Sequence, residues 1–396
     1  MRPLLRNRVG KIVVTAVAVL AIGTAVGLVA LWPDGRQLMA PLPEAAVEPE
    51  GAEIISSETI RCQNPRAKDC RELGIEITSG VKAGSRSTIT TGDAGPAPRL
   101  DEGAKVRVIA NQLPPGVDAG AAPAIAPYTL VEIDRRSPML LLVAIFGVLV
   151  VVFGRLRGAL ALVGLGASLI VVVEFMIPAL LEAKSPVAVA AVGSSAVMLL
   201  TIVLAHGLGP KSVAAILGTG VSLAATILLA LSFTKLAYLT GFSSEEANLL
   251  IAGGADLSLQ GLVLAGMVIG ALGVLDDVTV SQASTVMALR KANPAQRTRE
   301  LYRGALSVGR DHVAATVNTL VLAYVGASLP ILLVFGTGGT SFVDAISREA
   351  IAEQVVAMLV GSIGLIAAVP VTTFLAAALA SRLPAEELEA SAGHLH

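Results

Sequence analysis

Residues 266 to 290 read Gly266-Met-Val-Ile-Gly270-Ala-Leu-Gly273-Val-Leu-Asp276-Asp277-Val-Thr-Val-Ser281-Gln-Ala-Ser284-Thr285-Val-Met-Ala-Leu-Arg290. An apolar, glycine-rich run beginning at Leu257 is long enough to cross a bilayer and ends here in two adjacent carboxylates. A polar, helix-compatible segment follows, and then a basic loop. No other long apolar run in the chain ends in two acids.

Working outward, the composition is that of a membrane protein. The chain is 54% hydrophobic and 15% charged, with a mean hydropathy of +0.75, as several membrane spans would produce. Aromatic residues are 3% of the total, so interfacial belts of Trp and Tyr must be thin. A formal net charge of −1 excludes nucleic acid as a bulk electrostatic partner.

Eight apolar runs are predicted to span: Ile12–Leu31, Met139–Phe153, Ala159–Leu181, Val187–Ala205, Ser212–Phe233, Leu257–Leu275, Val313–Phe335 and Val355–Ala380. Arg2, Arg6, Arg8 and Lys11 precede the first. At about 20 residues it exceeds the roughly 7–15 of a signal-peptide core, and Leu38-Met39-Ala40 is a poor cleavage site, so it reads as an uncleaved signal anchor over residues 1–33. With the N-terminus inside, Arg155, Arg157, Lys211, the Arg290–Arg310 loop and Arg382 all fall on the cytoplasmic side, and the acidic or mixed loops fall outside. An even number of spans puts both termini in the cytoplasm.

Residues 34–137 differ in character. Pro41, Pro43 and Pro49 make a linker, and β-prone runs follow at Glu53–Ile60, Gly74–Thr78, Ser87–Thr91, Ala104–Ala110 and Tyr128–Ile133. They predict a small, β-rich, OB-like extracytoplasmic domain between the first two spans, with a long loop from Asn111 to Pro127. Cys62 and Cys70, the only cysteines, could close a short disulfide loop outside the membrane; two free thiols are the alternative.

The segments Arg135-Arg-Ser-Pro-Met-Leu140, Ala205-His-Gly207 with Leu217-Gly-Thr219, and Ile269-Gly-Ala-Leu-Gly-Val-Leu-Asp-Asp-Val-Thr-Val-Ser-Gln282 carry a resemblance. So do Gly309-Arg-Asp-His312, Asn318-Thr-Leu-Val-Leu-Ala-Tyr-Val-Gly326 and Gly361-Ser-Ile-Gly-Leu-Ile-Ala-Ala-Val-Pro370. Together they resemble the YibE/F family of bacterial multi-pass membrane proteins, in its actinobacterial form, across about Arg135 to Ala380. The resemblance implies a permease-like integral membrane protein and carries no settled biochemical activity.

The candidate site residues lie at the cytoplasmic ends of spans six and seven. Asp277, Ser281, Ser284 and Thr285 share a helical face, where a carboxylate could hold a cation or proton. The structural alternative makes Asp276 or Asp277 the cap of a new amphipathic helix running to Arg290; docking onto Arg310 is a third reading. Asp276, Asp277, Asp311 and His312 could converge as oxygen and imidazole ligands or a proton relay. Asn318 reads first as interhelical glue. Glu174 is the only carboxylate embedded within an apolar run. Gly266-x-x-x-Gly270, with Gly261 and Gly273, would permit close helix packing.

Neither Gly-x-Ser-x-Gly, His-Glu-x-x-His nor a Walker-type phosphate loop occurs. The expectation is therefore an all-α polytopic protein of the cytoplasmic membrane and not an enzyme, with residues 138–383 as a seven-helix membrane domain and 384–396 as a cytoplasmic tail. It needs no cofactor, and no metal is assigned. Its partners are the lipid bilayer, a small solute or ion and an extracytoplasmic protein. It is expected to be a secondary transporter of unnamed substrate, or alternatively a scaffold whose β domain binds a partner.

Overall fold

A computed structural model describes residues 8–35, 48–62, 64, 67, 69–92, 99–111, 127–254, 257–339 and 341–383. The linker residues Pro41 and Pro43, most of the loop expected from Asn111 to Pro127, and the tail 384–396 lie outside these. The chain forms two compact units, Pro41–Leu149 on one hand, and Met1–Ala40 with Val150–His396 on the other. The first unit thus extends beyond the expected boundary at residue 137 to include the start of a long helix.

All five expected strands are present: β1 Glu50–Thr59, β2 Arg71–Ile77, β3 Arg86–Thr91, β4 Lys105–Ala110 and β5 Tyr128–Ile133. They pair antiparallel in the order β3-β2-β1-β4-β5. In β4, Val106 and Val108 are buried on either side of the less buried Arg107, the period-two alternation of a sheet with one covered face. That face joins Ala52, Ile54, Leu73, Ile75, Ile77 and Ile89 in one apolar core. The fourth strand lies beside the first, which is Greek-key order. The two edge strands β3 and β5 also come into contact, so the sheet curls into a half-barrel. A disulfide joins Cys62 to Cys70 at the start of β2. Gly92, with φ +99°, packs its backbone on Cys70, where a Cβ would lie 2.9 Å from the cysteine Cα.

The other regular elements are helices: α1 Arg8–Ala30, α2 Arg136–Ile170, α3 Ile177–Leu181, α4 Pro186–His206, α5 Pro210–Leu236, α6 Glu245–Ala252, α7 Leu259–Ala292, α8 Thr298–Thr337, α9 Phe342–Ile346 and α10 Glu349–Ala380. Among the described residues seven helical stretches are long and apolar enough to cross a membrane. One of them, Arg136–Leu181, has 46 residues, which straight would reach about 69 Å, over twice a 30 Å hydrocarbon core. It is not straight. Arg155 has φ 53° and ψ −135°, and a Cβ on Gly158 would overlap the Val150 carbonyl, 2.9 Å from its carbon. Eight residues apart in a continuous helix would be separated by about 12 Å, so the chain reverses at Arg155. A π-helical turn over Val171–Met176 precedes Pro178, which has no N–H to give the Glu174 carbonyl.

In this second unit α10 packs along α5, α7 and α8, and α7 also packs on α4 and α5. α1 packs on α4 and α5, with Val13 and Val17 in the common core. Beyond its end, Trp32 lies against Phe175 at 5.9 Å and Lys184 pairs with Asp34 and Glu182 at 3.7 and 3.6 Å. The α4–α5 turn is tight because Gly207 takes φ +68° and Pro210 opens α5.

The α5–α10 crossing is reciprocal. Gly218 of α5 receives Thr372 of α10, and Gly364 of α10 receives Thr226 of α5. In both helices the glycine stands eight residues before the threonine, so the two antiparallel chains dock through the same pattern read in opposite directions. A Cβ at Gly218 would overlap the Thr372 hydroxyl and lie 2.8 Å from its Cβ. The glycines picked out on α7 behave differently: Gly266 and Gly273 would meet nothing within 4 Å, and Gly270 only approaches the Tyr324 hydroxyl at 3.4 Å. Gly261 does pack closely, against Pro186 with a Cβ distance of 2.7 Å.

Two further expectations need correction. α7 runs without interruption from Leu259 to Ala292, so Asp276 and Asp277 cap nothing. The basic Arg290–Arg310 loop is almost all helix, because α7 carries on past Arg290 and α8 begins at Thr298. Glu300 supplies that start by accepting the Arg297 backbone N–H at 2.8 Å.

Candidate functional site

Halfway along α7, Asp276 points into the bundle. Thr201 of α4 donates to its Oδ2 at 2.8 Å, while its Oδ1 is buried with no partner among the described residues. One turn on, the Thr279 hydroxyl reaches back to the Asp276 carbonyl at 3.1 Å and meets the Thr219 hydroxyl of α5 at 2.5 Å. Another turn on, Gln282 accepts from Thr373 of α10 at 3.0 Å. Asp276, Thr279 and Gln282 thus form an i, i+3, i+6 stripe on the buried side of α7. Thr219, Thr279, Gln282, Thr372 and Thr373 are all effectively excluded from solvent.

The hydroxyls can serve either protonation state of the carboxyl. Thr201 Oγ1 also lies 3.0 Å from the Val197 carbonyl and 3.1 Å from that of Met198. It has one proton to give and lone pairs to receive. Facing a carboxylate it turns its proton to Oδ2; facing a protonated acid it can give that proton to a backbone carbonyl and accept from the acid. Thr219 and Thr279 are similarly paired, each with its own backbone carbonyl in reach.

Gln282 also fixes where α8 crosses. A Cβ on Gly309 would stand 2.6 Å from Gln282 Nε2 and 2.7 Å from Val369. Asp276 is six residues from Gln282, about 9 Å along α7. Because α8 returns antiparallel, that places Asp276 on the side where α8 enters its apolar run at Val313.

A family model described as YibE/F-like protein matches residues 142–382. The chain belongs to the YibE/F-like family. The match takes in the helices that build the Asp276 site and leaves α1 and the sheet outside it. No curated protein and no solved structure matches the chain.

In this YibE/F-like protein the residues named from the sequence differ in exposure. Asp277, Asp311, Asn318 and Glu174 are exposed, and Ser281 is half-buried. His312 is half-buried, with its Nε2 buried and unpartnered among the described residues. No hydrogen bond or ion pair joins Asp276 or Asp277 to Asp311 or His312, and the described residues contain no group of three acids, histidines or cysteines able to hold a metal. The four residues expected to converge are thus not joined to one another by direct hydrogen bonds or ion pairs. On the face shared by Asp277, Ser281, Ser284 and Thr285, Asp277 is exposed and the other three are half-buried, with Ser284 and Thr285 bonding back to the Val280 and Ser281 carbonyls at 2.7 and 3.0 Å. Sequence reasoning missed Thr201, Thr219, Thr279, Gln282, Thr372 and Thr373. One signal was present: Thr219, Ser222 and Thr226 repeat at i, i+3, i+7 within an apolar run, marking a buried face of α5.

Proposed function

We propose that this YibE/F-like protein is a secondary transporter of the cytoplasmic membrane whose coupling group is Asp276, with both termini in the cytoplasm and eight passes. The reversal at Arg155 supports counting the 46-residue stretch as two passes, and the packing of α1 against α4 and α5 supports a retained anchor. The Greek-key half-barrel, held by its disulfide, is read as an OB-like domain outside the membrane.

The observation that carries the reading is the lone oxygen of Asp276 among four packed helices. A buried carboxylate oxygen left without a partner is costly, by about 1–3 kcal/mol for the unmade bond and more when charged. A proton or a bound cation relieves that cost, and ionisable groups within spans are functional by default. Thr201 can adapt to the group in either state, as cyclic loading and release require. Neither covalent chemistry nor a nucleotide is needed for this role.

Thermal stability of the detergent-purified chain across pH and across monovalent and divalent cations tests the site, with Asp276→Asn beside wild type. A ligand held at a hundredfold excess over its dissociation constant raises stability by about 2.7 kcal/mol. A proton- or cation-specific shift present in wild type and lost in the variant supports the assignment. A shift retained in Asp276→Asn, or none under any condition, rejects it. The independent core of the sheet favours one second reading, a scaffold that binds an extracytoplasmic partner. Deleting residues 40–130 would then abolish the cellular phenotype while leaving the Asp276-dependent shift intact.

A further inference from the structure

An open groove of about 300 Å³ runs between α8 and α10, lined by Leu306, Arg310, Val313, Ile366, Val369 and Pro370. Its volume is at the lower end of ligand sites, and its walls are aliphatic apart from the single arginine. On α8, Arg299, Arg303, Leu306, Arg310 and Val313 fall within an arc of about 80°. Arg303 and Arg310 are exposed and make no ion pair or hydrogen bond with any described residue. Pro370 has no N–H, so the Ile366 carbonyl beside it lacks its helical donor. The groove thus offers an apolar slot, cations at one end and a spare acceptor.

We propose that this groove binds an anionic phospholipid, the phosphate on Arg303 and Arg310 and the start of an acyl chain along Leu306, Val313 and Ile366. Charge and position both argue for a lipid. Arg310 stands three residues ahead of the apolar run that begins at Val313, and Arg303 two turns further back among the charged first turns of α8, so the groove opens toward the level where phosphates meet hydrocarbon. A soluble anion would gain nothing from the aliphatic walls. The inference depends on the chain being embedded in a membrane and is independent of the coupling role of Asp276.

Native mass spectrometry of the full-length chain, released from detergent with phosphatidylglycerol or phosphatidylcholine of identical acyl chains, tests it, with inorganic phosphate as a third probe. Phosphatidylglycerol should bind preferentially. Arg303→Gln and Arg310→Gln should each weaken it about fivefold, the order expected for one basic residue at an anionic surface. Arg382→Gln should leave it unchanged, and Ile366→Trp, which fills the exposed slot, should weaken both lipids. Equal binding of the two lipids, or discrimination that survives both arginine variants, overturns the proposal. So does stabilisation by inorganic phosphate equal to that by the lipid. Discrimination that emerges only on removing residues 384–396 also overturns it, by giving the arginines to the chain's own Glu386, Glu387 and Glu389.

Discussion

The reciprocal glycine–threonine crossing of α5 and α10 makes a double-mutant cycle at Gly218 and Thr372 informative. In Gly218→Ala the new methyl overlaps the Thr372 hydroxyl and lies 2.8 Å from its Cβ, in a place where Thr372 has no exposed surface to retreat into. Overpacking of this kind costs about 1–3 kcal/mol. The better helix propensity of alanine returns up to about 1 kcal/mol, so a net loss of about 1–2 kcal/mol is expected. Thr372→Ala should be mild. Its hydroxyl has no hydrogen-bond partner among the described residues, so the change forfeits about one methyl of burial, or roughly 0.8 kcal/mol. In the double variant the added Cβ occupies the vacated space, and the two effects should fall short of their sum by at least about 1 kcal/mol. Gly266→Ala and Gly273→Ala are the controls, because nothing lies within 4 Å of either new methyl. Both should be neutral or stabilising by up to about 1 kcal/mol. Equilibrium unfolding in mixed micelles, followed by circular dichroism, provides the free energies. Additivity within about 0.5 kcal/mol, or a Gly218→Ala variant no less stable than Gly266→Ala, refutes the packing argument.

Three other perturbations address the site and the sheet. Thr201→Val removes the one hydroxyl on Asp276 without changing shape; it should lower stability by about 1–3 kcal/mol, while Thr201→Ser should restore most of it in the same unfolding assay. Cys62→Ser with Cys70→Ser opens a loop of sequence separation 8; a chain-entropy estimate gives a loss of about 2.5 kcal/mol, and an unchanged melting midpoint for the sheet would contradict it. Burial, followed by the Glu50 carboxylate, holds the Tyr128 phenol above the usual tyrosine range. A raised folded-state value stabilises fully below the unfolded one, and that share is lost as pH rises through the folded value. The sheet should therefore weaken in strong alkali as tyrosinate absorbance appears, and Tyr128→Phe should flatten that decline.

The parts of the fold that were legible in the sequence rest on signals that survive in isolation. Apolar runs near 20 residues and the β-prone runs separated by turns each reflect a local cost. For the spans it is backbone hydrogen bonding in hydrocarbon; for the strands, one wet face and one dry face. What was not legible is where a helix stops once it leaves the lipid. From Asp276 to Ala292 the chain has ordinary helix formers and no breaker until Asn293-Pro294, so the end of the apolar run was not the end of α7. The same holds for α8, whose first fifteen residues, Thr298–His312, are helical but not apolar.

Choosing between Asp276 and Asp277 is a different kind of problem. In a soluble helix the apolar stripe marks the inside, but in a bundle surrounded by lipid the large aliphatic side chains can face outward and the small and hydroxylated ones inward. α10 shows this: Ile363 and Ile366 are exposed while Ser362, Gly364, Thr372 and Thr373 are buried. Searching α7 for the most polar face therefore selects Asp277, which is exposed, with Ser281 and Ser284, which are only half-buried. The buried face is marked instead by one acid, one threonine and one glutamine, spaced to meet threonines on three other helices. Those partners come from positions 201, 219 and 373, and no local pattern near residue 276 announces them. The site is a product of helix packing, and the two neighbouring carboxylates, identical in chemistry, are separated in surroundings only by the 100° of rotation between them.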